Sequence, residues 1–200
     1  IRKAVTGTFG SQTEIDGFIG RMYKKKKAQS LIIPPLFFAY ASGIFKKHDW
    51  DIQHTYKFPD EEFDMIILAT SMPGYKDELA AVKKYKEKFP NVPVIAAGAF
   101  SKEKPELFEQ TVDAVIIDGE PELSFLKFAS GELSFPLKNK KVELGQVENP
   151  DELPFPAWEV FNYQDFQYAP MLKGISVPVL TSRGCPYNCD YCHYMPEAGP

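Results

Sequence analysis

Residues 65–99 read MIILATSMPGYKDELAAVKKYKEKFPNVPVIAAGA, and this stretch decides the fold. Met65-Ile66-Ile67-Leu68 is an unbroken apolar run, which a strand carries when both faces are covered, as in a parallel sheet. Leu79, Val82, Tyr85 and Phe89 then recur at helical spacing and give one apolar stripe. Pro90 ends that helix, because a proline disfavours helical geometry in the residue before it. A second apolar run follows at Val92 to Ala97. Strand, amphipathic helix and strand in succession form the repeating unit of an α/β sheet.

The alternation continues in both directions. Strands are expected at residues 4–9, 51–55, 65–70, 92–97 and 114–118, where β-branched and apolar residues cluster. Leu36/Phe37, Tyr40/Ala41 and Ile44/Phe45 place a further helix ahead of the second strand, with those pairs on one face. Pro105 and Pro121 stand where first helical residues are expected. The class is α/β, a Rossmann-like doubly wound parallel sheet over residues 1–130, and ligands of such sheets bind at the carboxyl ends of the strands.

From 131 to 170 the pattern dissolves into Pro-rich and aromatic sequence, read as an interdomain connector. Phe155, Trp158, Phe161, Tyr163, Phe166 and Tyr168 are expected to pack against both neighbours rather than serve a ligand. Residues 171–200 begin something new. A strand is expected over Ser176 to Thr181, running into a cysteine loop that starts a second, incomplete domain. With Ile1 in place of an initiator Met, the chain is expected to be a fragment.

A net charge of −4 argues against a large nucleic-acid footprint, which clustered Lys and Arg would normally supply, so no nucleic acid is expected as partner. The run Lys24 to Lys27 is read as a solvated loop or helix end. Leu31 to Phe45 is too short and too interrupted, at Pro34, Pro35, Ser42 and Gly43, for the ~20 apolar residues of a membrane span. No membrane partner is expected, and secretion is not expected either.

Three cysteines, Cys185, Cys189 and Cys192, are the chain's only thiols and form a CxxxCxxC cluster. An odd number crowded into one loop does not make a disulfide framework. Thiols so gathered are metal ligands of a reducing compartment, hence an expected cytoplasmic location. A cubane 4Fe-4S cluster usually takes four thiolates. With three, the fourth iron stays open to an outside ligand, which is a feature of catalysis. The alternatives at this point are a zinc site completed by His193, or a non-catalytic iron–sulfur module.

The run Leu180-Thr181-Ser182-Arg183-Gly184-Cys185-Pro186-Tyr187-Asn188-Cys189-Asp190-Tyr191-Cys192 resembles the signature of the radical S-adenosylmethionine superfamily. The resemblance implies that Cys185, Cys189 and Cys192 hold a 4Fe-4S cluster at the mouth of a partial (β/α) barrel. It implies that S-adenosylmethionine chelates the open iron, with Tyr191 near its adenosine, and yields a 5'-deoxyadenosyl radical. An external electron donor such as flavodoxin or ferredoxin is implied as well.

The preceding region resembles the cobalamin-binding domain found in several families of that superfamily. The likeness lies in Ile33-Pro34-Pro35-Leu36, Ala69-Thr70-Ser71-Met72, Ala97-Gly98-Ala99 and Asp118-Gly119-Glu120-Pro121-Glu122. It implies cobalamin contacts at Ser71, Met72, Gly98, Ala99, Gly119 and Glu120. The chain departs from the mutase type, because no Asp-x-His-x-x-Gly motif is present and Asp51-Ile52-Gln53-His54 has the wrong spacing. Methylthiotransferases match poorly, since their N-terminal domain brings its own cysteines.

The resulting expectation is a cobalamin-dependent methyltransferase acting on an unactivated carbon of a small-molecule or peptide substrate. Radical cyclisation, rearrangement or desaturation without cobalt chemistry is the alternative within the same superfamily.

Overall fold

The computed structural model describes residues 1–7, 36–55, 57–72, 74–118, 120–162 and 177–181. These form a six-stranded, wholly parallel sheet with strands β1 (Arg2–Gly7), β2 (Trp50–Thr55), β3 (Met65–Ala69), β4 (Val94–Ala97), β5 (Ala114–Ile116) and β6 (Lys141–Val142). The spatial order is β2-β1-β3-β4-β5-β6, so the winding reverses between β1 and β3. This is the second common doubly wound order, and it puts the crevice beside those two strands.

Among the described residues four α-helices connect the strands: α1 (Leu36–Lys47), α2 (Tyr75–Lys88), α3 (Ala99–Glu103) and α4 (Glu122–Ser130). The strands alternate between two cores with the period of two that a pleated strand imposes. Ala4, Met65, Ile67, Ile95, Ala114 and Ile116 meet α1 and α4 on one face. Val5, Ile66, Leu68, Val94, Ala96 and Val115 meet α2, Phe108 and Val112 on the other. Ile66, Ile67 and Leu68 are wholly buried. Covering one such side chain contributes roughly 1.5–3 kcal/mol, which is why the unbroken run predicts a central strand.

All five expected strands are present. β4 starts at Val94 rather than Val92, because Pro93 has no amide to donate and only its carbonyl joins the ladder, accepting from Ile66 N at 3.0 Å. Residues 8 and 9, expected to extend β1, lie outside the described residues. Pro105 opens a 3-10 turn (Pro105–Leu107). Pro121 caps α4 from outside instead of being its first helical residue.

Helix α1 is buried beyond the face the spacing indicates: Phe38, Ala39, Ala41, Ser42, Gly43, Ile44 and Phe45 are covered, while Leu36, Phe37 and Tyr40 are half-buried. The cause is the connector, which lies over it. Ala157 N donates to Ala39 O at 2.8 Å, and a β-carbon at Gly43 would sit 2.3 Å from Phe155 O. Only glycine permits that approach of backbone to helix. The stretch read as connector also supplies β6, whose two residues pair with Val115 and Ile116.

Of the connector's aromatics, Phe161 is buried against His54 and Trp158, whereas Phe155 stands 93% exposed. Tyr163, Phe166 and Tyr168 lie outside the described residues. The strand expected over Ser176 to Thr181 is not formed in its described part, residues 177–181, which carry no regular secondary structure. Among the described residues no helix is long and apolar enough to cross a membrane.

Candidate functional site

Parallel pairing brings the strand ends to one edge in register: Gly7 lies opposite Leu68 and Thr55, Ala69 opposite Ala97, and Ile116 opposite Val142. The segments that follow β3, β4 and β5 leave from this edge, so the expected contact residues described there emerge side by side. The edge is the natural ligand face of the fold.

The turns after β3 and β4 are tied together by one hydroxyl. Thr70 N extends the ladder by donating to Ala97 O at 3.0 Å. Thr70 Oγ1 donates to the same carbonyl at 3.4 Å and accepts from Ser101 N at 2.9 Å, inside the first turn of α3. Ser101 Oγ in turn donates to Gly98 O at 3.1 Å. Gly98 itself sits at φ 114° and ψ 172°, a region open essentially to glycine alone. The Ala97-Gly98-Ala99 turn is therefore held by these bonds and carries no side chain larger than a methyl, with Ala99 exposed at its tip.

On the β3 side, Met72 stands 70% exposed, while Ser71 is turned inward. Ser71 Oγ donates to Glu78 Oε1 at 3.2 Å and accepts from Gly74 N at 3.3 Å. Ser71 N reaches Glu78 Oε2 at 3.4 Å. Pattern reading had no signal for Glu78, a wholly buried carboxylate in the first turn of α2, because a first-turn acid is ordinarily a solvated complement to the helix dipole.

At β5, Asp118 anchors the chain leaving β6. Its carboxylate accepts from Leu144 N at 2.9 Å, Gly145 N at 2.8 Å and Ser124 Oγ at 2.9 Å. Glu120 is half-buried at the start of α4, and Gly119 lies outside the described residues. Ser71, Met72, Gly98, Ala99 and Glu120 thus all occupy the carboxyl edge. Cys185, Cys189, Cys192 and Tyr191, with His193, lie outside the described residues, as do Ile33, Pro34 and Pro35.

His54, next to last in β2, lies near the same edge but is turned under the connector. Its ring packs 4.5 Å from Phe161 and 5.2 Å from Phe38, centroid to centroid, and Nδ1 lies 3.1 Å from Thr6 Oγ1. Burial among these apolar groups pushes its pKa down to about 4. The ring is neutral at physiological pH and serves the core.

Chemically, the β3 and β4 turns offer methyl groups, backbone and the engaged hydroxyls of Thr70, Ser71 and Ser101 in place of a cluster of reactive side chains. Among the described residues no group of three or more His, Cys, Asp or Glu side chains could hold a metal ion. A cleft of about 330 Å³ does open between Pro93, Asp113, Phe135 and Lys140, at the opposite, amino edge. Its charged groups are already occupied. Asp113 pairs with Lys86 and accepts from Val94 N, and Lys140 donates to Glu109 O and Val112 O. The carboxyl edge remains the better candidate, as the face where sheets of this topology take their ligands.

No protein-family model matches the chain. A distant relative from Pyrococcus horikoshii, named an uncharacterized methyltransferase, is 31% identical over 189 aligned residues. The alignment takes in 80% of this chain and 40% of that protein, so the chain spans well under half the length of the curated relative it matches.

Proposed function

We propose that this chain carries the cofactor platform and the cluster loop of a methyltransferase, one that uses radical S-adenosylmethionine chemistry and cobalamin to methylate an unactivated carbon. The observation that carries the reading is the CxxxCxxC spacing of Cys185, Cys189 and Cys192, with no other cysteine in the chain. Three thiolates serve three irons of a cubane and leave the fourth for an outside ligand, here the amino and carboxylate groups of S-adenosylmethionine. Tyr191 is assigned to the adenosine side of that cofactor.

The relationship to a protein named as a methyltransferase supports the class of group transferred, and with it S-adenosylmethionine as methyl source. On this reading residues 1–130 form the cobalamin-binding unit, 131–170 the connector and 171–200 the beginning of the catalytic barrel. Substrate, a small molecule or peptide, is held by parts of the enzyme beyond this stretch, and flavodoxin or ferredoxin supplies the electron. The cysteine chemistry suits the cytoplasm.

The small residues of the edge support a corrin as its ligand. Gly98 and Ala99 place no side chain beyond a methyl on the β4 turn, Met72 projects from the neighbouring turn, and Thr70 locks the two together. Bound there, cobalamin would supply a cobalt that carries a methyl group. The chain's own part is placement: backbone of Ala97 to Ala99 and the Ser71 turn form the rest, and Glu120 borders it from β5.

The test is anaerobic reconstitution of the complete enzyme with iron and sulfide, followed by assay of 5'-deoxyadenosine released from S-adenosylmethionine. Release that disappears in Cys185→Ala, Cys189→Ala and Cys192→Ala supports the reading. A protein that binds iron yet never cleaves S-adenosylmethionine is a non-catalytic module and overturns it. Retention of cobalamin through anaerobic purification separates methyl transfer from the cobalt-free radical outcomes.

A further inference from the structure

We infer that Glu78 is the positioning residue of the cofactor platform, holding the turn after β3 in the one shape that leaves Met72 outward and the β4 turn clear. The inference rests on the cobalamin reading above and assigns a residue to it.

Glu78 has no exposed surface, and a buried carboxylate is costly unless strong hydrogen bonds replace its water. The chain has a simpler way to begin α2. A Ser, Asn or Asp at the N-cap would satisfy the first amides, yet the N-cap is Gly74 and makes no side-chain cap. Instead a carboxylate four residues into the helix turns back to the strand end. It accepts from both Ser71 N (3.4 Å) and Ser71 Oγ (3.2 Å), and Ser71 Oγ then accepts from Gly74 N (3.3 Å). Ser71, Gly74 and Glu78 are thereby tied together from within.

This closure decides what the edge presents. With Ser71 drawn inward, the next side chain, Met72, is the one left in solvent. The adjoining Thr70 makes the bonds that join this turn to Ala97 and Ser101. Glu78 therefore acts on the platform through Ser71, next to the Thr70 hydroxyl that ties the β3 turn to β4 and α3.

The substance needed from Glu78 is reach. Glu78→Gln keeps the length and an acceptor for Ser71 N, whereas Glu78→Asp keeps the carboxyl group and falls one methylene short. The probe is hydroxocobalamin, titrated into the complete enzyme and followed by its absorbance, with thermal unfolding by circular dichroism on every variant. Glu78→Asp is expected to bind about tenfold or more weakly, and Glu78→Gln within about threefold of wild type. Ser71→Ala should weaken binding to the same degree as Glu78→Asp, and the double variant Ser71→Ala/Glu78→Asp no further, because the two act as one unit.

Wild-type affinity in a folded Glu78→Asp, or additive losses in the double variant, overturns the assignment and leaves cobalamin binding intact. If Glu78→Asp does not fold, Ser71→Ala decides alone: undiminished affinity there overturns the assignment. A wild-type enzyme that takes up no hydroxocobalamin overturns the cobalamin reading, and the assignment falls with it.

Discussion

Replacing His54 with glutamine should remove a specific part of the chain's acid sensitivity. The imidazole lies against Phe38 and Phe161 with Thr6 at its Nδ1, and burial holds its pKa at about 4 instead of 6.5. Above pH 6.5 the ring is neutral in folded and unfolded chains and contributes nothing to the balance. Below it, the unfolded chain takes up a proton that the folded chain refuses, so stability falls with pH until the folded pKa is reached. At about 1.4 kcal/mol per pH unit, the interval between 6.5 and about 4 amounts to roughly 3 kcal/mol in full, and about 2 kcal/mol is already lost at pH 5.

The assay is urea unfolding at pH 7.5 and pH 5, wild type against His54→Gln. Glu132 and Glu159, whose pKa values are lowered by hydrogen bonds from Lys127 and Lys46, titrate in both proteins and cancel in the difference. Wild type should lose about 2 kcal/mol more than the variant between the two conditions. An equal loss, or a larger one in the variant, would refute a neutral, desolvated His54.

Three further substitutions probe the frame. Gly43→Ala gains about 1 kcal/mol of helix preference but drives a methyl into Phe155 O, an overpacking cost of roughly 1–3 kcal/mol; the net is expected to be destabilising, with faster amide exchange at Ala157. Gly98→Ala imposes a side chain on φ 114° and should cost about 1–3 kcal/mol, read as a lower denaturant midpoint with unchanged slope. Asp118→Ala removes the acceptor for Leu144 N, Gly145 N and Ser124 Oγ, an expected loss of about 2 kcal/mol with deprotection of the 144–145 amides in hydrogen exchange. Unchanged exchange at those amides would show that Asp118 does not hold the segment after β6.

The sheet was legible because its strands are buried on both faces and must therefore be continuously apolar, as Met65 to Leu68 and Val115 to Ile117 are. β6 was not, since two residues at a sheet edge, Lys141 and Val142, make no pattern. The extra burial of α1 was equally hidden: it comes from a connector over a hundred residues away, and only Gly43 marks the contact. At the candidate site, the small residues of the β4 turn could be read from sequence because their smallness is itself the feature. The bonds that shape the edge could not. Thr70, Ser101 and Glu78 are ordinary residues whose roles depend on which strand lies beside which, and Glu78 looks like any first-turn acid until its burial is seen.

The most direct measurement is electron paramagnetic resonance of the complete, anaerobically prepared and reduced enzyme, recorded before and after addition of S-adenosylmethionine. The account predicts a cubane signal that changes when the sulfonium compound is added, as its amino and carboxylate groups occupy the iron that Cys185, Cys189 and Cys192 leave open. A cubane spectrum indifferent to the addition, or a protein containing zinc in place of iron, would contradict it.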